Sequence, residues 1–264
     1  MPARRWISEV VPVPLLVEVI GEPGVGKTHF SLTFPKPFLF DTTPKREAEV
    51  IVYKLHGAEA KKRYAWATKY EQLLTGIKEV VKRDDVRTVI IDTGADLQSM
   101  AVEYELQKKD RERLMPFEYG RIREMIDEDI IELVTMSGKH LVMTAQMDDE
   151  YVGGQKTGRR VPKGYKRMAF QADIRVFITI GSAELTFMPG GLSFEATYNK
   201  TLQPKRTAVV VKNRFVDITT TGYQKLEGNF TFADLVNLIP QEFWELLFRP
   251  EDLEVVKVAP RVQR

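Results

Sequence analysis

The sequence predicts an α/β fold: a mostly parallel central sheet with helices on both faces, closed by antiparallel strands towards the C-terminal end. Three observations carry this. Short apolar runs alternate with helix-length segments from Leu15 to about Gln146, which is the pattern of successive βα units. Three of those runs end in a polar residue, Asp41, Asp92 and Gln146, where an open α/β sheet presents its ligand groups. Beyond Ile174 the runs are short and alternating and read as antiparallel strands.

The first run, Leu15 to Ile20, is a strand by composition. Gly21-Glu22-Pro23-Gly24-Val25-Gly26-Lys27-Thr28 follows, spelling G-x-x-x-x-G-K-T, and His29 to Phe34 continues as a helix until Pro35. A strand, a Gly-rich turn and a helix in that order turn the spelling into a phosphate-binding loop rather than an ordinary Gly-rich turn. The glycines let backbone N–H groups converge on phosphates without a Cβ in the way. Residues Gly21 to Thr28, with His29, are therefore the candidate nucleotide contacts. Lys27 would reach the β- and γ-phosphates, and the Thr28 hydroxyl would ligate Mg²⁺.

Pro37 to Asp41 is a second strand, while Ala48 to Leu55 fits either a strand or a helix. Arg63 to Ala67 reads as a short strand and Tyr70 to Lys82 as an amphipathic helix. Arg87 to Asp92 is a buried strand ending in an acid. A carboxylate at the end of a strand beside a phosphate loop holds Mg²⁺, so Asp92 is the second candidate metal ligand; many buried strands end in Asp for purely structural reasons. Helices follow over Ala95 to Lys108 and Phe117 to Met136, the second capped by Gly138, then a strand over His140 to Gln146.

Tyr151 to Phe170 has four glycines, six Lys or Arg and no acid, and reads as a basic loop. Its cations, Lys156, Arg159, Arg160, Lys163, Lys166 and Arg167, suit nucleic-acid phosphates, and Tyr151, Tyr165 and Phe170 could stack on single-stranded bases. The plainer alternative is a solvated loop without a ligand. Strands are expected over Ile174–Ile180, Leu185–Met188, Leu192–Tyr198 and Ala208–Lys212, and helices over Phe232–Ile239 and Glu242–Phe248. The chain divides into one domain over residues 1–250 and a basic tail over 251–264.

Bulk properties exclude several classes. The 264 residues are 43% apolar and 29% charged, with a net charge of +2, as in a globular protein whose nucleic-acid contacts must come from local patches. There is no cysteine, so disulfides, thiolate zinc sites and cysteine nucleophiles are ruled out. The longest apolar run is too short to span a bilayer, and no leader pattern follows Arg4-Arg5, so a cytoplasmic protein without a membrane partner is expected. His29, His56 and His140 have no ligand spacing and read as structural.

The order of parts resembles a RecA-type ATPase core. Ile90-Ile91-Asp92-Thr93 is similar to the RecA segment in which the acid precedes a hydroxyl residue and a helix; a strand ending in Gln146 and a Gly-rich basic segment follow. Lys156-Thr157-Gly158-Arg159 with Pro162-Lys163-Gly164 resembles in particular the phage and archaeal-virus AAA-like RecA-fold ATPases, including the single-strand-annealing-like group. The likeness covers about Leu15 to Phe215. It implies a P-loop NTPase of RecA type, with ATP and Mg²⁺ as cofactors, Gln146 sensing the γ-phosphate, and Lys212 and Arg214 acting in the neighbouring subunit's active site. A ring or filament of identical chains, with single-stranded DNA as partner, is the implied assembly. One departure stands out. Where RecA has its catalytic glutamate, two residues beyond the second strand's acid, this chain has Thr43; Glu47, four residues further on, is the candidate water-activating carboxylate. The expected function is Mg²⁺-dependent ATP hydrolysis on DNA, in recombination, replication or strand annealing. The alternative is a slow nucleotide-dependent switch or assembly ATPase without direct DNA binding.

Overall fold

A computed structural model describes residues 12–187, 194–199, 205–218 and 223–258. In chain order its strands are β1 (Leu16–Gly21), β2 (Pro37–Asp41), β3 (Tyr64–Trp66), β4 (Thr88–Asp92), β5 (His140–Val152), β6 (Gln155–Lys163), β7 (Ile174–Ile180), β8 (Ser182–Phe187), β9 (Phe194–Asn199), β10 (Arg206–Asn213) and β11 (Gln224–Glu227). The main sheet runs β11-β10-β7-β1-β5-β4-β2-β3, with β6 added to β5 and β8–β9 forming a separate pair. From β7 to β3 every neighbour is parallel; β10 and β11 are antiparallel. This is the fold class the sequence predicts.

β1 lies centrally and all six of its residues are buried, as a parallel strand covered on both faces requires. Its alternate side chains serve two cores. Val17 and Val19 pack with Phe30, Val52, Phe232 and Leu247 on one face; Leu16 packs with Leu73, Ile77, Leu97 and Ile126 on the other. The one charge within β1, Glu18, is matched by Arg175 of β7 at 2.6 Å.

The helices are α1 (Lys27–Ser31), α2 (Glu47–His56), α3 (Tyr70–Val80), α4 (Leu97–Lys109), α5 (Glu118–Ile126), α6 (Leu133–Met136), α7 (Met168–Gln171), α8 (Phe232–Val236), α9 (Trp244–Leu247) and α10 (Pro250–Val258). Ala48 to Leu55 is thus helical, burying Ala48 and Val52. The single helix expected over Phe117 to Met136 carries a π-helical turn at Asp127–Glu132. Residues 250–258, where a tail was expected to begin, form α10, and its Asp252 is fully buried. The rest of the expected tail, 259–264, lies outside the described residues, as do Met188 and the first two residues of the strand expected over Leu192–Tyr198.

The basic loop is a correction. β5 does not stop at Gln146 but continues to Val152, turns at Gly153 and Gly154, and returns as β6 in antiparallel register, Gln146 opposite Lys163 and Val152 opposite Gln155. The acids preceding the turn, Asp148 and Asp149, supply the counter-charges that the segment itself lacks: Lys163 pairs with Asp148 at 3.1 Å and Lys156 with Asp149 at 2.7 Å. Cross-strand pairs of opposite charge favour a hairpin over a loop. Among the described residues no helix is long and apolar enough to cross a membrane.

Candidate nucleotide site

The phosphate loop leaves β1 at the carboxyl edge of the sheet and enters α1 at Lys27. All three of its glycines are obligatory, Gly24 because its φ is +79°. A Cβ on Gly21 would lie 2.3 Å from the Ile178 carbonyl oxygen, and Gly26 holds φ at +99°, a region that other residues adopt only under strain. Lys27 folds back across the loop, its ammonium donating to the Gly21 and Glu22 carbonyls at 3.0 and 2.9 Å. Burial pushes its pKa down, and the neighbouring Asp92 and Glu22 push it back up.

The Thr28 hydroxyl donates to Asp92 Oδ2 at 2.6 Å, and the Thr144 hydroxyl from β5 donates to Asp92 Oδ1 at 2.6 Å. The two predicted metal ligands, 64 residues apart in sequence, are therefore in contact. Burial raises the Asp92 pKa, opposed by the Thr144 and Thr28 hydrogen bonds and by Lys27. Asp92 is held from behind: its carbonyl accepts from the Thr42 amide at 2.8 Å, and the Thr42 hydroxyl bridges to Thr93. A hard cation with few protein oxygens, the rest of its shell coming from water and phosphate, is how Mg²⁺ binds. The donor set fits: a hydroxyl and a buried carboxylate beside the loop, with no cluster of three or more His, Cys, Asp or Glu placed for a metal among the described residues. Bound there, Mg²⁺ would offset charge on the β- and γ-phosphates.

The β4 strand carrying Asp92 does not adjoin β1; β5 lies between them. Gln146 of β5 is opposite Gly21 in register, beside the start of the phosphate loop. Asp41 is a correction. It is fully buried and consumed in organising its own turn: it accepts from the Thr43 amide and hydroxyl at 2.8 and 2.6 Å, from the Ala48 amide at 3.1 Å and from the Tyr64 hydroxyl at 3.2 Å. Its carboxylate is spent inside that turn, although Asp41 stands opposite Asp92 in register. Glu47 is exposed in the first turn of α2, its amide on the Thr43 hydroxyl at 3.4 Å.

The hairpin reaches the loop through one cation. Arg160 pairs with Glu22 at 2.9 Å and donates to the Met147 carbonyl at 2.8 Å, so β6 is tied to a variable position of the phosphate loop. Arg167 pairs with Asp127 in the π-helical turn, Arg159 also has a partner, and Lys166 is exposed beside α7. Tyr165 corrects the stacking expectation: it is 1% exposed, with its hydroxyl donating to the Arg123 carbonyl and Asp127. Tyr151 and Phe170 are exposed.

Arg206, at the start of β10, belongs to no motif of the sequence. Its guanidinium lies against the phosphate loop: a Cβ on Gly26 would sit 2.7 Å from its Cζ and 2.8 Å from Nη2. It also helps to lower the His29 pKa, after burial. Nothing local marks it; only the antiparallel return of β10 beside β7 brings it to this edge. The same reversal carries Lys212 and Arg214 to the opposite edge. There Arg214 pairs with Asp173 at 2.6 Å, and Lys212 donates to the Phe170 carbonyl at 2.8 Å. They take no part in this chain's own site.

A family model described as AAA domain matches residues 14–215. No curated protein matches the chain.

Proposed function

Since the chain belongs to the AAA domain family over residues 14–215, a family of nucleotide-dependent ATPases, we propose that it is a Mg²⁺-dependent, RecA-like ATPase that works on DNA. The observation that carries the reading is the Thr28–Asp92 contact at 2.6 Å beside Lys27: both metal-holding oxygens and the phosphate-binding ammonium meet at one loop. Lys27 would leave the Gly21 and Glu22 carbonyls for the β- and γ-phosphates, and Arg206 would add a second cation from the same chain. Preorganised charge of this kind is the main source of catalysis in phosphoryl transfer. Gln146 and the Glu22–Arg160 pair link the nucleotide to the β5–β6 hairpin, whose outward cations and Tyr151 would meet single-stranded DNA. Assembly into a ring or filament is part of this reading, since Lys212 and Arg214 could serve only a neighbouring copy.

A second reading has its own support. Lys156, Arg160, Lys163 and Arg167 are all paired with carboxylates, and the one carboxylate candidate for activating water, Glu47, is exposed on α2. Both favour a slow nucleotide switch that does not grip DNA. ATP turnover with and without single-stranded DNA separates the two. Stimulation that is lost in Arg159→Ala/Arg160→Ala protein supports the first; turnover indifferent to DNA, with no low-salt binding of an oligonucleotide, refutes it.

A further inference from the structure

The edge of the sheet opposite the phosphate loop holds a second cationic site. The segments entering β2, β4 and β5 meet the start of α10 around a cavity of about 340 Å³, with Lys36, Arg87, Lys139 and Arg249 in its wall against Asp84 and Glu251. Arg87 is 3% exposed; its Nε donates to Asp252 at 3.0 Å, while Nη1 and Nη2 are buried without a partner among the described residues. Buried N–H groups left unmatched are costly, and those on a cation more so. Arg249 converges on the same point. A Cβ on Gly138 would lie 3.5 Å from Arg249 Nη2 and 3.9 Å from Arg87 Nη1, so both guanidinium groups border the space that a side chain there would fill.

The surrounding charge is only partly compensated: Arg249 Nη1 lies 4.0 Å from Glu251, and Arg87 pairs with Asp252. Asp252, the fully buried acid behind Arg87, is already shared with the Arg249 amide at 3.0 Å and faces His140 Nε2 at 3.6 Å. Lys139 is fixed by the Arg83 and Val86 carbonyls at 2.7 Å each, and its pKa is lowered by burial and then by Arg87 and Arg249. Lys36 takes a left-handed φ of +40° at the rim, with its carbonyl accepting from the Arg87 amide at 3.0 Å.

We propose that this cavity binds an oxyanion of phosphate type, received by the free Nη groups of Arg87, by Arg249 and by Lys36. Forked guanidinium groups match the several oxygens of a phosphate better than a lone ammonium does. The anion can be free phosphate or a phosphate of a polynucleotide backbone. The site does not depend on the nucleotide reading, because it lies on the other edge of the sheet.

The test is calorimetric titration of inorganic phosphate, in chloride buffer of low ionic strength, into Lys27→Ala protein, with MgADP-saturated wild type as a second background. Both take the phosphate loop out of the measurement. One phosphate per chain is expected, with affinity about tenfold weaker in Arg249→Ala, the loss of one charge-assisted contact. The Arg249 contacts to Asp252 are made through its backbone, so that variant keeps the helix start, and its thermal melt checks folding. Lys36→Ala should weaken binding in the same direction. No binding in either background, or binding that both variants leave within about twofold, overturns the proposal. Displacement of the phosphate by a thymidine oligonucleotide assigns the site to polynucleotide; retention assigns it to the free anion. Either result leaves the site standing.

Discussion

Replacing Arg206 by alanine should weaken MgATP binding by about 5- to 30-fold. Its guanidinium rests against Gly26 of the phosphate loop, where the phosphates of a bound nucleotide would come within a few ångströms. Two unit charges about 5 Å apart attract by about 3 kcal/mol at an effective dielectric constant of 20. Arg206 is only half-buried, so solvent and salt reduce this to about 1–2 kcal/mol, the range quoted. Lysine at this position should recover part of the loss, because it keeps the charge without the fork. The assay is calorimetric titration with a non-hydrolysable ATP analogue at two ionic strengths, the effect shrinking as salt rises. The strand itself should survive, since the Arg206 carbonyl, not its side chain, accepts from the Gly228 amide at 2.9 Å; a melt confirms it. If folded Arg206→Ala protein binds the analogue within about twofold of wild type, the guanidinium is packing against the loop and does not serve the nucleotide.

Asp92→Asn should lower ATP turnover by about 100-fold or more while the protein still binds nucleotide, because the loop is intact and only the metal carboxylate is changed; phosphate release and analogue binding measured together check this. A double-mutant cycle with Glu22→Gln and Arg160→Gln, read by urea unfolding, should give a coupling of about 0.5–1 kcal/mol for this partly exposed pair, and a coupling of zero would remove the hairpin-to-loop link. Asp252→Ala should cost about 3–5 kcal/mol, since it leaves the buried Arg87 uncompensated; a loss under about 1 kcal/mol would mean that α10 is not part of the cooperative fold. Burial lowers the pKa of His29, His56 and His140 below the ordinary 6.5. A folded chain that binds these protons less readily than the unfolded one is stable above about pH 6.5 and loses stability as the pH falls through that value, by up to about 1.4 kcal/mol per pH unit for each proton fully excluded. His140, whose Nδ1 accepts from the Leu15 amide at 2.9 Å, should dominate, so His140→Gln should flatten the difference between urea midpoints at about pH 7.5 and 5.5. A wild-type midpoint equal at both would contradict this.

What could be read from the sequence was what short-range geometry dictates. Gly21 and Gly26 announce a phosphate loop because no side chain fits there; Asp92 and Gln146 announce ligand positions because apolar runs of strand length stop at them. The register then places Gln146 opposite Gly21 and brings the Thr28 hydroxyl to Asp92, as those strand ends imply. The rest depends on partners distant in the chain. Ala48 to Leu55 has a pattern open to either period, and its helix is decided by burial against the sheet. Asp41 looks like a ligand until the turn that it organises is seen. The segment after Gln146 looks like a basic loop until Glu22 and Asp127 arrive from elsewhere to pair with it. Arg206 and Arg214 are both arginines near strand ends, yet the antiparallel direction of β10 sends one to the phosphate loop and the other to the far edge. Steric and periodic constraints act between residues a few positions apart and so are written in the sequence. The pairing of charges and the direction of a strand are settled only when the whole sheet closes.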